Sequence, residues 1–87
     1  MGYEVRLRRA APKELDALPE QDYDMVAQAI STLEENPRPA RVKKLADSGL
    51  WRLRVGRYRI VYAIDDEAQV VTLVRVARRK EDTYRRL

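Results

Sequence analysis

The sequence predicts an α+β fold in which two helices pack on one face of a four-stranded sheet that contains a three-stranded antiparallel meander. Three observations lead to this expectation. Residues 3–8 alternate apolar and charged side chains, which is the two-residue period of a half-buried strand. Residues 20–35 place apolar side chains at three- and four-residue steps, as an amphipathic helix does. From residue 51 the two-residue period returns, and it persists with interruptions to residue 79.

The two predicted helices follow each other closely. The first is short, since Pro12 suits an initial helical turn and Leu15 with Leu18 forms its apolar stripe. The second covers residues 20–35 and ends at the "NPRP" of residues 36–39, because a residue that precedes proline disfavours the helical conformation. Their short separation predicts an α-helical hairpin, which must bury its apolar stripe against the sheet.

Three predicted strands occupy the second half of the chain, at residues 51–55, 57–65 and 69–79. Gly56 alone separates the first two, which predicts a tight hairpin or one bent ribbon, with this glycine at a positive φ. Short connections imply an antiparallel meander. With the N-terminal strand added, we expect one four-stranded sheet, followed by a short C-terminal helix over residues 80–87.

Length and composition limit the possible functions. The 87 residues suffice for one domain, residues 1–87, with a thin core. The absence of Cys and His argues against disulfides, thiolate chemistry and a zinc site, and removes the usual acid–base side chain near neutral pH. No cofactor or metal is predicted. No apolar run reaches the length of a membrane span and no signal-peptide core is present, so we expect a cytoplasmic protein.

The net charge of +4 is unevenly distributed along the chain. Residues 14–35 contain seven acidic residues and no basic one. Residues 38–59 contain eight basic residues and one acidic one, and residues 75–87 contain six basic and two acidic ones. This asymmetry predicts a basic functional face for a polyanion or an acidic protein partner.

The pleat of the predicted sheet separates apolar from basic side chains. One face is expected to be apolar and to pack on the helices, while the other collects Arg52, Arg54 and Arg59, with Arg75 or Arg79 beside them. In the last strand, strict alternation places two sets of residues on opposite faces. One set is Leu73, Arg75, Ala77 and Arg79, and the other is Val70, Thr72, Val74, Val76 and Arg78. Like charges on neighbouring strands repel, which favours a polyanion-binding role. The alternative is that arginine stems lie along the sheet and their heads pair with acids elsewhere.

The aromatic residues divide between core and candidate site. Tyr58 and Tyr62 share the predicted apolar face, and Trp51 is expected at the edge of the core rather than as a base-stacking platform. Tyr84 follows late in the chain among charged residues. We therefore favour Tyr84 as the functional aromatic residue, which either stacks on a base or donates a proton.

Two segments carry a family resemblance. They are "KKLADSGLWRLRVGRYRIVY" at residues 43–62 and the ending "VRVARRKEDTYRRL". Together with the order β-α-α-β-β-β, they resemble the RelE/ParE superfamily of bacterial and archaeal toxins over nearly the whole chain. The resemblance implies a microbial-RNase-like fold. It also implies a ribosome-dependent mRNA endonuclease, which cleaves in the A site by attack of the ribose 2′-hydroxyl on the adjacent phosphate.

The resemblance also implies site residues. The family's catalytic positions correspond here to Arg52, Arg54, Arg59, Arg79 and Tyr84. The positions expected to bind RNA are Lys43, Lys44, Arg57, Arg75, Arg78 and Lys80. Guanidinium groups suit a doubly charged phosphorane because they form bidentate hydrogen bonds and keep their charge. Arg52 and Arg54 stand where the family has lysines, and arginine cannot act as a base, so we expect positioning and electrostatics to carry the rate.

Two alternatives from other functional classes accompany this hypothesis. One is a ParE-type toxin, which binds DNA gyrase and is not an enzyme. The other is a catalytically inactive antitoxin-binding or RNA-binding module. All three imply a heteromeric complex with a cognate antitoxin, whose acidic, partly disordered segment folds on this protein. The endonuclease hypothesis adds the ribosome, with its rRNA and mRNA, as a partner.

Overall fold

The computed structural model describes residues 2–8, 10–46 and 48–78 of the chain. Its elements, in chain order, are β1 (Glu4–Leu7), α1 (Ala11–Asp16), α2 (Glu20–Glu35), β2 (Lys43–Lys44), β3 (Trp51–Val55), β4 (Tyr58–Asp65) and β5 (Val70–Arg78). This confirms the predicted α+β class and both helices. The helix predicted over residues 80–87 lies outside the described residues. No helix in the described part of the chain is long and apolar enough to cross a bilayer.

The strands form one sheet in the order β1-β5-β4-β3-β2. Strands β3, β4 and β5 pair antiparallel, which confirms the predicted meander, and β1 lies parallel to β5 at one edge. The sheet has five strands rather than the predicted four, because Lys43 and Lys44 pair antiparallel with Arg52 and Trp51. A two-residue strand has no alternation of its own, so sequence periodicity missed it.

A two-residue turn, Gly56 and Arg57, joins β3 to β4, and Val55 pairs with Tyr58 across it. Gly56 has a φ of 58°, which is typical of the first central position of a type II′ turn and confirms the predicted positive φ. The glycine is also where α2 approaches the hairpin, since an added Cβ would lie 2.8 Å from Met25 Cε. Met25 Cε is the end of a flexible, exposed side chain that can move aside, so the positive φ is the main reason for glycine at residue 56.

We expect Gly56→Ala to lower the free energy of unfolding. The positive φ alone costs an alanine about 1–2 kcal/mol, and the contact with Met25 adds to it. In a Met25→Ala background the contact is removed while the backbone cost remains, so part of the destabilisation should persist. Urea unfolding of the four proteins in this cycle measures both contributions. Equal stability of Gly56→Ala and wild type would contradict this account.

A β-bulge in β5 interrupts the alternation that the sequence predicted. Val61 of β4 pairs with Arg75, whereas the next residue, Tyr62, pairs with Leu73. Val74 is therefore the extra residue on β5. Residues on the two sides of the bulge no longer follow one parity, so the prediction of strict alternation over this strand is wrong.

The bulge changes which β5 residues face the helices. Leu73 and Val76 are both buried, although strict alternation placed them on opposite faces. Past the bulge, Arg78 pairs with Tyr58 and so shares the helix-packed face with that buried tyrosine. The bulge thus lets Leu73 and Val76, on its two sides, both reach the core.

The core lies between the helices and one sheet face. Its buried members are Ala11, Leu15, Val26, Leu33, Leu53, Tyr58, Ile60, Tyr62, Val71, Leu73 and Val76. Both tyrosine hydroxyls donate hydrogen bonds of 2.7 Å, Tyr58 to the Asp22 carboxylate and Tyr62 to the Pro37 carbonyl. The hydrogen bond to Asp22 raises the pKa of Tyr58, and burial raises the pKa of Tyr62 to about 12. Both tyrosines are core residues, as the sequence indicated.

Candidate nucleic-acid interface

Three arginines lie on the sheet face opposite the helices. Arg54 of β3 is directly opposite Arg59 of β4, and Arg52 is opposite Val61. Since the intervening Leu53 is buried in the core, the alternation of β3 turns Arg52 and Arg54 away from it. We call Arg52, Arg54 and Arg59 the arginine face. Arg54 is exposed, whereas Arg52 and Arg59 are half-buried.

Strand β2 extends the arginine face with further positive charge. Lys43 pairs with Arg52 across the β2–β3 ladder. A cleft of about 350 Å³ opens at this edge, and it is lined by Ala40, Arg41, Val42, Lys43, Arg52 and Arg54. Four of these residues are basic, and none of the described lining residues is acidic. Arg41 was not among the predicted site residues, because it lies in a loop where no periodicity marks its orientation.

Ion pairs hold three arginines that lie outside the arginine face. The pairs within the described residues join Arg6 to Glu4 at 3.0 Å, Arg38 to Asp66 at 2.8 Å and Arg75 to Glu14 at 2.9 Å. Across residues 2–8, 10–46 and 48–78, no ion pair engages Arg41, Lys43, Arg52 or Arg54. Pairing with acids elsewhere in the described chain therefore does not explain Arg52 and Arg54, and their charges are available to an anion.

Arg75, a predicted RNA-binding residue, is held by α1. Its Nε donates to Glu14 Oε2 at 2.9 Å, and the other carboxylate oxygen accepts the Val76 backbone N–H at 2.7 Å. Strand β1 ends at Leu7, so the Glu14 carboxylate occupies the β5 edge where a further strand residue would bind. The Glu14 carboxylate therefore accepts the hydrogen bond of a part-buried amide and also balances the positive charge of Arg75.

Replacing Glu14 tests the value of this edge contact. Glu14→Ala leaves the part-buried Val76 amide without its acceptor, and we expect the free energy of unfolding to fall by about 1–3 kcal/mol. Glu14→Gln keeps a carbonyl oxygen for that amide and should cost less. Urea unfolding of the two variants beside wild type measures the difference. Equal losses in both variants would mean that the ion pair, not the amide contact, stabilises this edge.

The other predicted site residues are dispersed. Arg57 lies in the exposed turn between β3 and β4, and Arg78 shares the helix-packed face. Lys44 places its Nζ 5.6 Å from the centroid of the Trp51 ring. Arg79, Lys80 and Tyr84 lie outside the described residues. Within the described residues, no three carboxylates are grouped so that they could hold a metal ion.

Trp51 belongs to a network that joins three loops. The Arg38 guanidinium lies 5.0 Å from the Trp51 ring centroid and forms two hydrogen bonds with Asp66, of 2.8 and 3.2 Å. Tyr3 donates a third hydrogen bond to Asp66, at 2.7 Å. Trp51 is half-buried against the core, so these contacts support its interpretation as a core-edge residue rather than a base-stacking platform.

The Asp66 network predicts a pH dependence. Hydrogen bonds from Arg38, and secondarily from Tyr3, lower the pKa of Asp66. A carboxyl group with a lowered folded-state pKa stabilises the fold above its unfolded pKa, and this contribution is lost as the pH falls through the folded value. We expect wild type to exceed Asp66→Asn in stability at pH 7 and the difference to shrink below about pH 4. Urea unfolding between neutral and acidic pH measures it, and parallel curves would contradict the assignment.

Comparison with known proteins identifies the family. The family model described as the ParE toxin of type II toxin–antitoxin systems, parDE, matches residues 5–83. The chain belongs to the RelE/ParE toxin superfamily. Toxin RelG of Mycobacterium tuberculosis is 35% identical over 88 residues, which cover 99% of this chain and 100% of that protein. The family model and the relative RelG thus confirm the resemblance seen in the sequence.

Solved structures share the fold of this RelE/ParE toxin. The archaeal RelE–RelB complex from Pyrococcus horikoshii OT3 matches with a TM-score of 0.82 and 29% identity, over 93% of this chain and 99% of that chain. The toxin–antitoxin complex RelBE2 from Mycobacterium tuberculosis matches with a TM-score of 0.78 and 31% identity, over 91% of this chain and 100% of that chain. The sheet that carries the arginine face is therefore part of a fold that toxins of this superfamily share.

Proposed function

We propose that this toxin is a ribosome-dependent endoribonuclease, which cleaves mRNA in the A site and thereby stops translation. The observation that carries the proposal is the arginine face, where Arg54 and Arg59 lie opposite each other on adjacent strands. Two guanidinium groups so placed suit the oxygens of one phosphate, where negative charge grows during cleavage. Relatives that span nearly the whole chain carry RelE names, which supports a toxin of the RelE type.

The proposed reaction needs no cofactor. The 2′-oxygen attacks phosphorus, the bond from phosphorus to O5′ breaks, and the products are a 2′,3′-cyclic phosphate and a 5′-hydroxyl. The 2′-hydroxyl releases its proton to water, and O5′ takes one proton from Tyr84 or from water, so no net proton is gained or lost. Arg54 and Arg59 stabilise the pentavalent phosphorane, and Arg52 holds the RNA beside them. Arginine does not act as a base in proteins, so Arg52 and Arg54 contribute positioning and charge stabilisation rather than base catalysis.

Two further residues complete the proposed site. Arg79 adds a positive charge near the end of the last strand, and Tyr84 supplies a proton to O5′ or stacks on a base. Both lie outside the described residues, and their roles rest on the family resemblance of the ending "VRVARRKEDTYRRL". The remaining basic residues, Lys43 and Lys44 among them, bind neighbouring phosphates of mRNA or rRNA.

An antitoxin is the proposed protein partner. The solved relatives from Pyrococcus horikoshii and Mycobacterium tuberculosis are complexes of a toxin with its antitoxin. The basic arginine face of this chain favours an acidic segment that folds on the protein and covers it. Ribosome binding and an antitoxin that covers this face are then mutually exclusive, and both place the protein in the cytoplasm.

A second candidate is a gyrase-directed toxin, and one observation favours it. The family model that matches residues 5–83 carries the ParE name. A toxin of this kind acts by binding its target, so it would stop growth without cutting RNA. An inactive binding module, the remaining alternative, would leave growth unaffected.

Induced expression without an antitoxin separates the three candidates. The endonuclease stops growth, and primer extension on ribosome-bound mRNA then shows new cuts, while plasmid topology stays unchanged. Cleaved plasmid trapped with gyrase, and intact mRNA, would contradict the proposal in favour of the ParE type. Undiminished growth, with soluble protein confirmed in the cells, would contradict both toxin candidates.

A further inference from the structure

The basic cleft beside the arginine face is lined by six residues, Ala40, Arg41, Val42, Lys43, Arg52 and Arg54. We propose that this cleft is a second phosphate subsite, which holds the phosphate of the nucleotide next to the one that reacts. The inference deepens the proposed function and rests on it in one respect, that the bound polyanion is single-stranded RNA. It assigns a binding role to Arg41, which lies outside the predicted site residues.

Strand register aligns the cleft with the arginine face. Lys43 pairs with Arg52 in an antiparallel ladder, and Arg41 lies in the turn that leads into β2, on the side of Arg54. Arg54 is in turn opposite Arg59. Adjacent strands lie about 4.8 Å apart, so β2, β3 and β4 together span about 10 Å across the sheet. A single strand of RNA that crosses these strands can therefore place one phosphate in the cleft and the next at Arg54 and Arg59.

Val42 anchors the segment that carries Arg41 and Lys43. Its side chain is partly buried and packs against the hydrophobic core, and its backbone N–H donates to the Pro39 carbonyl at 3.1 Å. This core contact fixes Val42 between Arg41 and Lys43, and both of these basic residues line the cleft.

The positive charge of the cleft favours the binding of an anion. Arg41, Lys43, Arg52 and Arg54 surround one space of about 350 Å³, and like charges so close destabilise the fold. Within the part of the chain that the structure describes, no ion pair relieves them, whereas Arg6, Arg38 and Arg75 each have a carboxylate. A phosphate in the cleft would relieve this repulsion and accept hydrogen bonds from several donors.

Continuity with the arginine face favours RNA over an acidic protein segment. Arg52 and Arg54 line the cleft and also belong to the face proposed to hold the reacting phosphate. One linear polyanion with closely and regularly spaced charges can occupy both places at once. Carboxylates of a folded partner have no such fixed spacing. Binding of an acidic protein in the cleft is the outcome that the test below separates from RNA binding.

The first arm of the test compares two matched double variants. Arg41→Ala/Lys43→Ala removes two charges from the cleft, and Arg8→Ala/Lys13→Ala removes two charges from exposed positions elsewhere. The probe is a fluorescent single-stranded RNA hexamer with 2′-O-methyl ribose at every position, which has no free 2′-hydroxyl and so cannot be cleaved by 2′-hydroxyl attack. We expect the cleft variant to bind about tenfold more weakly and its log–log salt slope to fall by about 0.7, the value of one single-strand phosphate.

The second arm locates the phosphate. Each phosphate of the hexamer is replaced in turn by a neutral methylphosphonate, and affinity is measured for wild type and for the cleft variant. We expect one phosphate to be the most sensitive to replacement in wild type, and replacement of a phosphate next to it to weaken wild-type binding as well. In the cleft variant, replacement of this neighbouring phosphate should have no effect on affinity. Thermal unfolding of every protein confirms that the variants are folded.

Three results would overturn the subsite. The first is that wild type shows no measurable binding of the hexamer. The second is that wild type and the cleft variant have equal affinity and an equal salt slope. The third is that the cleft variant loses binding to polyglutamate but keeps binding to RNA. The last result would make the cleft a surface for an acidic protein. Failure of the proposed function would be a separate result. Ribosome-bound mRNA would stay uncut, while the hexamer measurements would still support the cleft as a phosphate subsite.

Discussion

Replacing both Arg54 and Arg59 by alanine should abolish growth inhibition and almost all mRNA cleavage. The two side chains lie opposite each other on adjacent strands, where the proposed reaction develops its charge. Loss of one preorganised donor to a charged transition state typically lowers the rate by about 100- to 1,000-fold. We therefore expect each single variant to be strongly impaired. Single-turnover cleavage of ribosome-bound mRNA measures the rate, and induced growth curves measure the effect in cells.

Stability measurements show whether loss of cleavage is caused by unfolding of the variant rather than by loss of the arginines. Arg54 is exposed and no ion pair within the described chain involves it, so Arg54→Ala should unfold at the wild-type temperature or slightly above it, because like-charge repulsion is relieved. Arg8→Ala/Lys13→Ala is the matched control for the double variant, since it removes equal charge and should cleave at the wild-type rate. A folded Arg54→Ala/Arg59→Ala variant that cleaves normally would remove the arginine face from the mechanism.

Replacing Leu33 by alanine should have the largest effect on stability. Leu33 of α2 is fully buried in the cluster that joins the helices to the sheet. A buried leucine truncated to alanine costs about 2–5 kcal/mol, because apolar burial is lost and a cavity remains. A domain of this size has a total stability of only about 4–13 kcal/mol. We therefore expect Leu33→Ala to be largely unfolded or to melt roughly 10–20 °C lower.

A volume-conserving change at the same position provides the control. Leu33→Met keeps most of the apolar volume and should cost less than about 1.5 kcal/mol. Urea unfolding followed by far-UV circular dichroism compares both variants with wild type. If Leu33→Ala were as stable as Leu33→Met, then α2 would not be fixed to the sheet through this residue.

The arginine face was predictable because β3 and β4 are half-buried. Their alternation of apolar and basic residues is strict, and the short turn at Gly56 fixes their register, so Arg52, Arg54 and Arg59 had to share one face. In β5 the same argument failed. Five of the seven residues over 70–76 are apolar, so the sequence there hides the period, and a bulge at Val74 could not be read from it.

Long-range contacts set the remainder of the candidate site, and local patterns do not encode them. Glu14 and Val76 are 62 residues apart, and Arg38 and Asp66 are 28 apart. Each of these contacts decides whether a nearby charge is compensated or available. Arg41 gives the clearest example, because only the pairing of a two-residue strand with β3 brings this loop residue to the cleft.

Cleavage of a ribosome-bound mRNA that carries one 2′-deoxynucleotide in the A site tests the central claim most directly. With ribose at that position, the account predicts a cut whose upstream fragment ends in a 2′,3′-cyclic phosphate, identified by mass spectrometry. With deoxyribose at the reacting position, it predicts an intact message, because the attacking hydroxyl is absent. Equal cleavage of both messages, or cleavage of neither by a toxin that still stops growth, would contradict the proposal that this arginine face catalyses 2′-hydroxyl attack.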